Sequence, residues 1–137
     1  MENFVKDLIK EHETNNPFVI CRNLKIRITY IDSSEMKGAV TKILGKPCIF
    51  LSSYLEGFSK YFALSHELCH AIKHDIEEVK FFKDNTFYST DKFEIEANEF
   101  AALLLKNPET QNYDIDNLDD LDREVEEELV KFIYKNS

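Results

Sequence analysis

The sequence predicts an α+β fold, with a small three-stranded antiparallel sheet packed on a helix carrying His66 and His70 and on a second long helix. Three observations predict it. Apolar residues recur at helical spacing early, in the middle and late in the chain. Between residues 24 and 51 the period falls to two and to short apolar runs. The middle of the chain is therefore read as a small sheet of about three strands, with helical segments before and after it.

Each element has its own signature. From Glu2 to Glu13, Phe4, Val5, Leu8 and Ile9 form one apolar stripe, and Asn15-Asn16-Pro17 stops it. Pro17 suits the first turn of a short helix over Phe18 to Asn23, where its missing N–H costs nothing. Leu24, Ile26, Ile28 and Tyr30 alternate with Lys25, Arg27 and Thr29, the pattern of a half-buried strand. Asp32-Ser33-Ser34 reads as a turn. Gly38 to Leu44 and Cys48 to Leu51, joined by Gly45-Lys46-Pro47, read as a hairpin. Ser53 and Glu56 match a capping box, and the main helix follows from about Phe58 to His74. Residues 75 to 91 show no clear period. A third long helix spans Lys92 to Lys106 and ends at Asn107-Pro108. Last, Leu118, Leu121, Val125, Leu129, Phe132 and Ile133 line one face of an acidic helix over about 117–135, capped by Asn117.

The 137 residues suffice for a single domain over 1–137, with the chemistry-bearing motifs between about 15 and 106. The longest apolar run, Phe100 to Leu105, is far short of the ~20 residues a membrane helix needs. Residues 1–7 mix charges and lack the apolar stretch of a secretory signal. The net charge of −9 argues against direct nucleic-acid binding through phosphates. Ten acidic and three basic residues lie between Pro108 and Ser137, so most of the excess belongs to a solvated helix face. Cys21, Cys48 and Cys69 have no CxxC spacing and apolar neighbours, which reads as reduced core thiols in a cytoplasmic protein.

The residues that carry chemistry are His66-Glu67-Leu68-Cys69-His70, on the main helix. Histidines four apart leave the same helix face one turn apart, so both imidazoles reach one metal ion. Glu67, about 100° round the helix, stands beside the pair and reaches a reacting water without becoming a ligand. Two histidines on a helix can also be ordinary core residues. The helical context and a downstream third ligand favour the metal site.

A hydrolytic zinc site uses three protein ligands and keeps one position open. His74 shares the stripe but lies about 12 Å along the axis from His66, so a structural role is expected of it. His12 is expected at the surface. The long metzincin motif needs Gly at 73 and His at 76, and the chain has Lys73 and Ile76. On the next helix, Glu94 and Asn98 share a face while Glu96 points elsewhere. Glu94 as ligand, with the Asn98 amide oxygen orienting a histidine, uses that one face for both tasks. Glu96 is the alternative ligand.

These motifs resemble the ImmA/IrrE family of zinc metallopeptidases, many of them encoded by prophages and mobile elements. The resemblance rests on Asn16-Pro17, the small sheet, residues 64–72 (LSHELCHAI) and residues 94–104 (EIEANEFAALL), and it covers about residues 15–106. It implies a zincin-like core of the gluzincin kind, with Zn2+ held by His66, His70 and Glu94 and with Glu67 catalytic. Well-known members also carry a DNA-binding or sensory domain; the 137 residues leave no room for one, so a stand-alone catalytic domain is expected. Cys69 stands where the family more usually has Gly, and the Pro expected after the final leucines is delayed to Pro108.

The expected activity is metalloendopeptidase cleavage of a regulatory protein, a helix-turn-helix repressor, as the resemblance implies. Tyr88, between the two zinc helices, is the candidate oxyanion donor. The alternative is a zinc-containing antirepressor that sequesters the repressor without cutting it. A third reading, a globular domain with incidental histidines, predicts no metal.

Overall fold

The computed structural model describes residues 1–74, 80–83 and 92–106. The elements are α1 (Glu2–His12), α2 (Pro17–Asn23), β1 (Arg27–Ile31), β2 (Met36–Ile43), β3 (Lys46–Ser52), α3 (Gly57–Lys73), β4 (Lys80–Lys83) and α4 (Lys92–Lys106). The class is α+β, as expected. The helix over 117–135 and Tyr88 lie outside the described residues.

The first two helices end and begin as their sequences dictate. Glu13, with φ of 57°, takes the left-handed conformation that stops α1. Asn16 Oδ1 accepts a hydrogen bond from Phe18 N at 2.9 Å, capping α2 with Pro17 in its first turn. At the other end of α2, Ile26 N donates to Cys21 O and Lys25 N to Arg22 O, with Lys25 at φ of 60°. This is the paired closure of a Schellman motif, here with lysine where glycine is usual.

The sheet has the order β1-β3-β2-β4. β2 and β3 form the expected hairpin, tightened to a two-residue turn at Leu44-Gly45, both at positive φ, so that Ile43 faces Lys46. In two respects it differs from a three-stranded antiparallel sheet. β4 adds a fourth strand, antiparallel to β2, and β1 runs parallel to β3. The physical reason is burial. Ile49 and Leu51 are fully buried, so β3 takes an interior position between β2 and β1. The segment after β1 then crosses the end of β3, where Ser52 Oγ donates to Ser33 O and Ser53 N donates to Ile31 O. Ser53 does not cap α3, because the helix begins further along the chain. That helix starts at Gly57, with φ of 56°, after an extended Glu56. As an edge strand β1 is only partly covered. Ile26 just before it is buried, while Tyr30 is 51% exposed and Leu24 belongs to the end of α2.

Helix α3 is the centre of the molecule. It packs on β2 and β3 with one side, on α4 with another and on α2 with a third, while α1 covers α4. Every side chain from Phe62 to His70 is therefore buried. Phe62, Leu64 and Leu68 join Ile20, Val40, Ile49, Phe100 and Leu104 in one core. Asn15 Nδ2 donates to Leu104 O at 3.2 Å, tying the α1–α2 connection to α4. All three cysteines are buried and free, which agrees with reduced core thiols. No described helix is long and apolar enough to cross a membrane.

Candidate metal centre

The α3–α4 contact brings the motif residues together. His66 and His70 project toward α4, and the Glu94 carboxylate meets both rings. His66 Nε2 lies 2.9 Å from Glu94 Oε2, and His70 Nε2 lies 3.0 Å from Glu94 Oε1. The two Nε2 atoms are 3.3 Å apart. Tetrahedral zinc with nitrogen and oxygen ligands at about 2.0–2.1 Å separates neighbouring ligand atoms by roughly 3.3 Å. The observed spacings are therefore close to those of a three-ligand site.

Hydrogen-bond chemistry supports the same reading. His66 Nδ1–H donates to Asn98 Oδ1 at 2.7 Å. A neutral imidazole has one N–H, so Nε2 then presents a lone pair to Glu94, itself an acceptor. Full burial lowers the His66 pKa, more than its contact with the Glu94 carboxylate raises it, so a doubly protonated ring is disfavoured. A cation among these acceptor atoms resolves the conflict. The donor set suits Zn2+.

Both carboxylates at the centre are displaced from ordinary behaviour, in opposite directions. Burial works to raise the Glu94 pKa, but its close contacts with His66 and His70 outweigh this and hold it well below the usual carboxylate range. Glu67 is pushed well above that range by burial, with the Glu94 charge adding to the effect. The Glu67 side chain is fully buried, and neither of its oxygens has a hydrogen-bond partner among the described residues. Donor atoms of His66, Glu67 and His70 lie within 4.8 Å of one another. Glu94 contacts both Nε2 atoms, at 2.9 and 3.0 Å, and could serve as the third ligand. Glu67 is the polar group left over.

Two features were not anticipated. Gly38 on β2 backs onto Glu67, and a Cβ there would sit 3.2 Å from both Glu67 Cγ and Oε2. A glycine inside a strand is the usual sign of such a close approach. The second is His74. Helix α3 stops at Lys73, and His74 takes an extended conformation, so its ring is not carried further along the axis. Its Nδ1 instead lies 2.8 Å from His70 Nδ1, and its Nε2 2.8 Å from Glu96 Oε1. Glu96, the alternative ligand, thus faces His74, and this hydrogen bond lowers its pKa. Cys69 Sγ lies near these two side chains, with donor atoms of the three within 4.8 Å. Burial pushes its thiol up to about 12. His12, expected at the surface, is half-buried: its Nδ1 accepts a hydrogen bond from Asn23 Nδ2 and its Nε2 is covered.

Comparison with known proteins agrees with this architecture. No solved structure matches the chain. It is 35% identical over 102 residues to uncharacterized immunity region protein 2 of Bacillus phage phi105. That match covers 74% of this chain, which spans 65% of the relative's length. The peptidase family model described as the IrrE N-terminal-like domain matches residues 21–129, a span that includes both motif helices. The chain belongs to the IrrE N-terminal-like (ImmA/IrrE) family of peptidases.

Proposed function

We propose that this chain is a zinc metalloendopeptidase that hydrolyses a peptide bond in a regulatory protein, a helix-turn-helix repressor of phage or mobile-element type. The observation that carries the reading is the Glu67 carboxyl, buried and without a hydrogen-bond partner among the described residues, beside the His66, His70 and Glu94 side chains. Leaving such a group unsatisfied costs roughly 1–3 kcal/mol or more, a cost that a catalytic role explains and a purely binding role does not.

His66, His70 and Glu94 hold the metal. When bound, zinc supplies Lewis-acid polarisation of the scissile carbonyl and lowers the pKa of water. Glu67 takes the proton of the attacking water on a carboxylate oxygen and returns it to the leaving amine. Its environment favours this shuttle, because burial and the Glu94 charge make its carboxylate a stronger base than an exposed glutamate. Asn98 holds His66 in the Nδ1–H tautomer. Tyr88 is the proposed oxyanion donor. The outer strands of the sheet among the described residues are β1 and β4, and an extended substrate pairs with one of these edges through main-chain hydrogen bonds.

The choice of a repressor as substrate rests on the family and on the immunity-region name of the phage relative. The test has two steps. Elemental analysis of protein purified without a metal-affinity tag should find about one zinc per chain, and less in Glu94→Ala. The zinc-loaded protein is then mixed with repressors encoded near its gene and the products are weighed by mass spectrometry. Fragments that appear with wild type and vanish with Glu67→Gln, zinc content unchanged, are the expected result. Cleavage that survives Glu67→Gln would refute the mechanism. Tight binding of an uncut repressor by the zinc-loaded protein would favour the antirepressor alternative.

A further inference from the structure

We infer that His74 and Glu96 form a hydrogen-bond chain that sets the tautomer and orientation of His70, and that both are positioning residues for the metal centre. The inference rests on the zinc reading of that centre.

Three atoms pairs define the chain. His70 Nδ1 is 2.8 Å from His74 Nδ1, His74 Nε2 is 2.8 Å from Glu96 Oε1, and the far side of His70 presents Nε2 to Glu94. With neutral rings and a metal ion between His70 Nε2 and Glu94, one arrangement of protons suits all three. The Glu96 carboxylate only accepts, so His74 carries its proton on Nε2 and donates it there. His74 Nδ1 then has a lone pair and accepts from His70 Nδ1–H. His70 Nε2 is left as a lone pair aimed at the metal position.

The geometry holds His74 in place. Its ring lies 4.7 Å from that of Phe93 and 4.9 Å from that of His70, and its side chain is 9% exposed. Lys73 Nζ, 3.8 Å from the same Glu96 oxygen, helps keep that carboxylate charged. The two ligand histidines are thus oriented by different means. His66 has the Asn98 amide, and His70 has an imidazole backed by a carboxylate. A metal ion bound by Cys69, His74 and Glu96 would take the His74 Nε2 lone pair. That would leave two N–H groups facing each other between His74 and His70, so the proton chain excludes a second ion at this place.

The test compares zinc dissociation constants, by competition with a chromophoric chelator, for wild type, His74→Phe, Glu96→Ala and Glu96→Gln. Loss of such an orienting partner typically weakens metal binding about 10–100-fold, and this is expected for His74→Phe. Glu96→Ala is expected to weaken it several-fold. Glu96→Gln keeps an acceptor oxygen and should restore affinity to near wild type. Glu96 is partly exposed, so its variants test the chain even if His74→Phe folds poorly. Nitrogen-15 NMR of the metal-free protein should show His70 as the Nδ1–H tautomer in wild type and a mixture in His74→Phe. Zinc affinity in Glu96→Ala within twofold of wild type, with an unchanged His70 tautomer, would overturn the inference. So would two zinc ions per chain. If wild type takes up no zinc, the metal reading fails, and the tautomer measurement alone decides whether the chain exists.

Discussion

The Glu67 carboxyl is packed against the backbone of Gly38. A Cβ at residue 38 would lie 3.2 Å from Glu67 Oε2 and 3.1 Å from Phe50 O. One obstacle is a side chain that can turn; the other is sheet backbone that cannot easily give. Gly38→Ala should therefore push Glu67 toward the histidines and strain β2 against β3. A stability loss of about 1–3 kcal/mol is expected, read by denaturant unfolding. Cleavage should fall more than zinc content, because the displaced group is the proposed base and not a proposed ligand. Full activity in Gly38→Ala would show that the position of Glu67 is not critical.

Asn98 tests the other side of the centre. Asn98→Leu leaves the His66 Nδ1–H without its acceptor in a buried site. Zinc affinity should fall roughly 10–100-fold, while Asn98→Asp, which keeps an oxygen there, should lose much less. Chelator competition reads both.

The raised Glu67 pKa gives the metal-free protein a definite pH dependence. The folded chain keeps its Glu67 proton at pH values where the unfolded chain has lost it, so N binds more protons than U and stability falls as pH rises. This loss begins near pH 4.5, the ordinary glutamate value, and continues up to the raised folded pKa. Glu67→Gln lacks the effect. Melting temperatures of the chelator-treated proteins should diverge between pH 5 and 8, the variant gaining on wild type as pH rises. A constant difference across that range would mean that Glu67 is ionised in the metal-free fold.

The hairpin offers a test of the fold independent of the site. Leu44 occupies the first position of the two-residue turn at φ of 51° and is 97% exposed. Leucine gains no burial there, and its backbone bears a left-handed strain of about 1–2 kcal/mol. Leu44→Asn relieves part of this strain and should raise stability by about 0.5–1 kcal/mol, measured by denaturant unfolding with zinc content unchanged.

Much of the architecture was legible in local pattern. The boundaries of α1, α2, α3 and α4 follow from apolar spacing and from Asn16, Pro17 and Pro108. Gly45-Lys46-Pro47 reads as a turn between two apolar runs, and the structure places the turn one residue earlier, at Leu44-Gly45. The parallel pairing of β1 with β3 was not legible. Strand neighbours depend on which apolar run can occupy the sheet interior, and a short turn such as Asp32-Ser33-Ser34 suggests a simple hairpin instead. β4 was not legible because Lys80-Phe81-Phe82-Lys83 is too short to show a period.

By itself the sequence determined the α+β class, the placing of His66 and His70 on one helix face, and the placing of Glu94 and Asn98 on one face of the next helix. Helical periodicity is a local property and carries that information directly. Only the tertiary structure decided which glutamate meets the histidines, that Gly38 makes room for Glu67, and that His74 turns back to join His70 to Glu96. These are contacts between segments distant in the chain, set by how α3 is clasped between the sheet and α4. A side chain's neighbours across such an interface follow from the packing of whole elements, and no spacing along the chain encodes them.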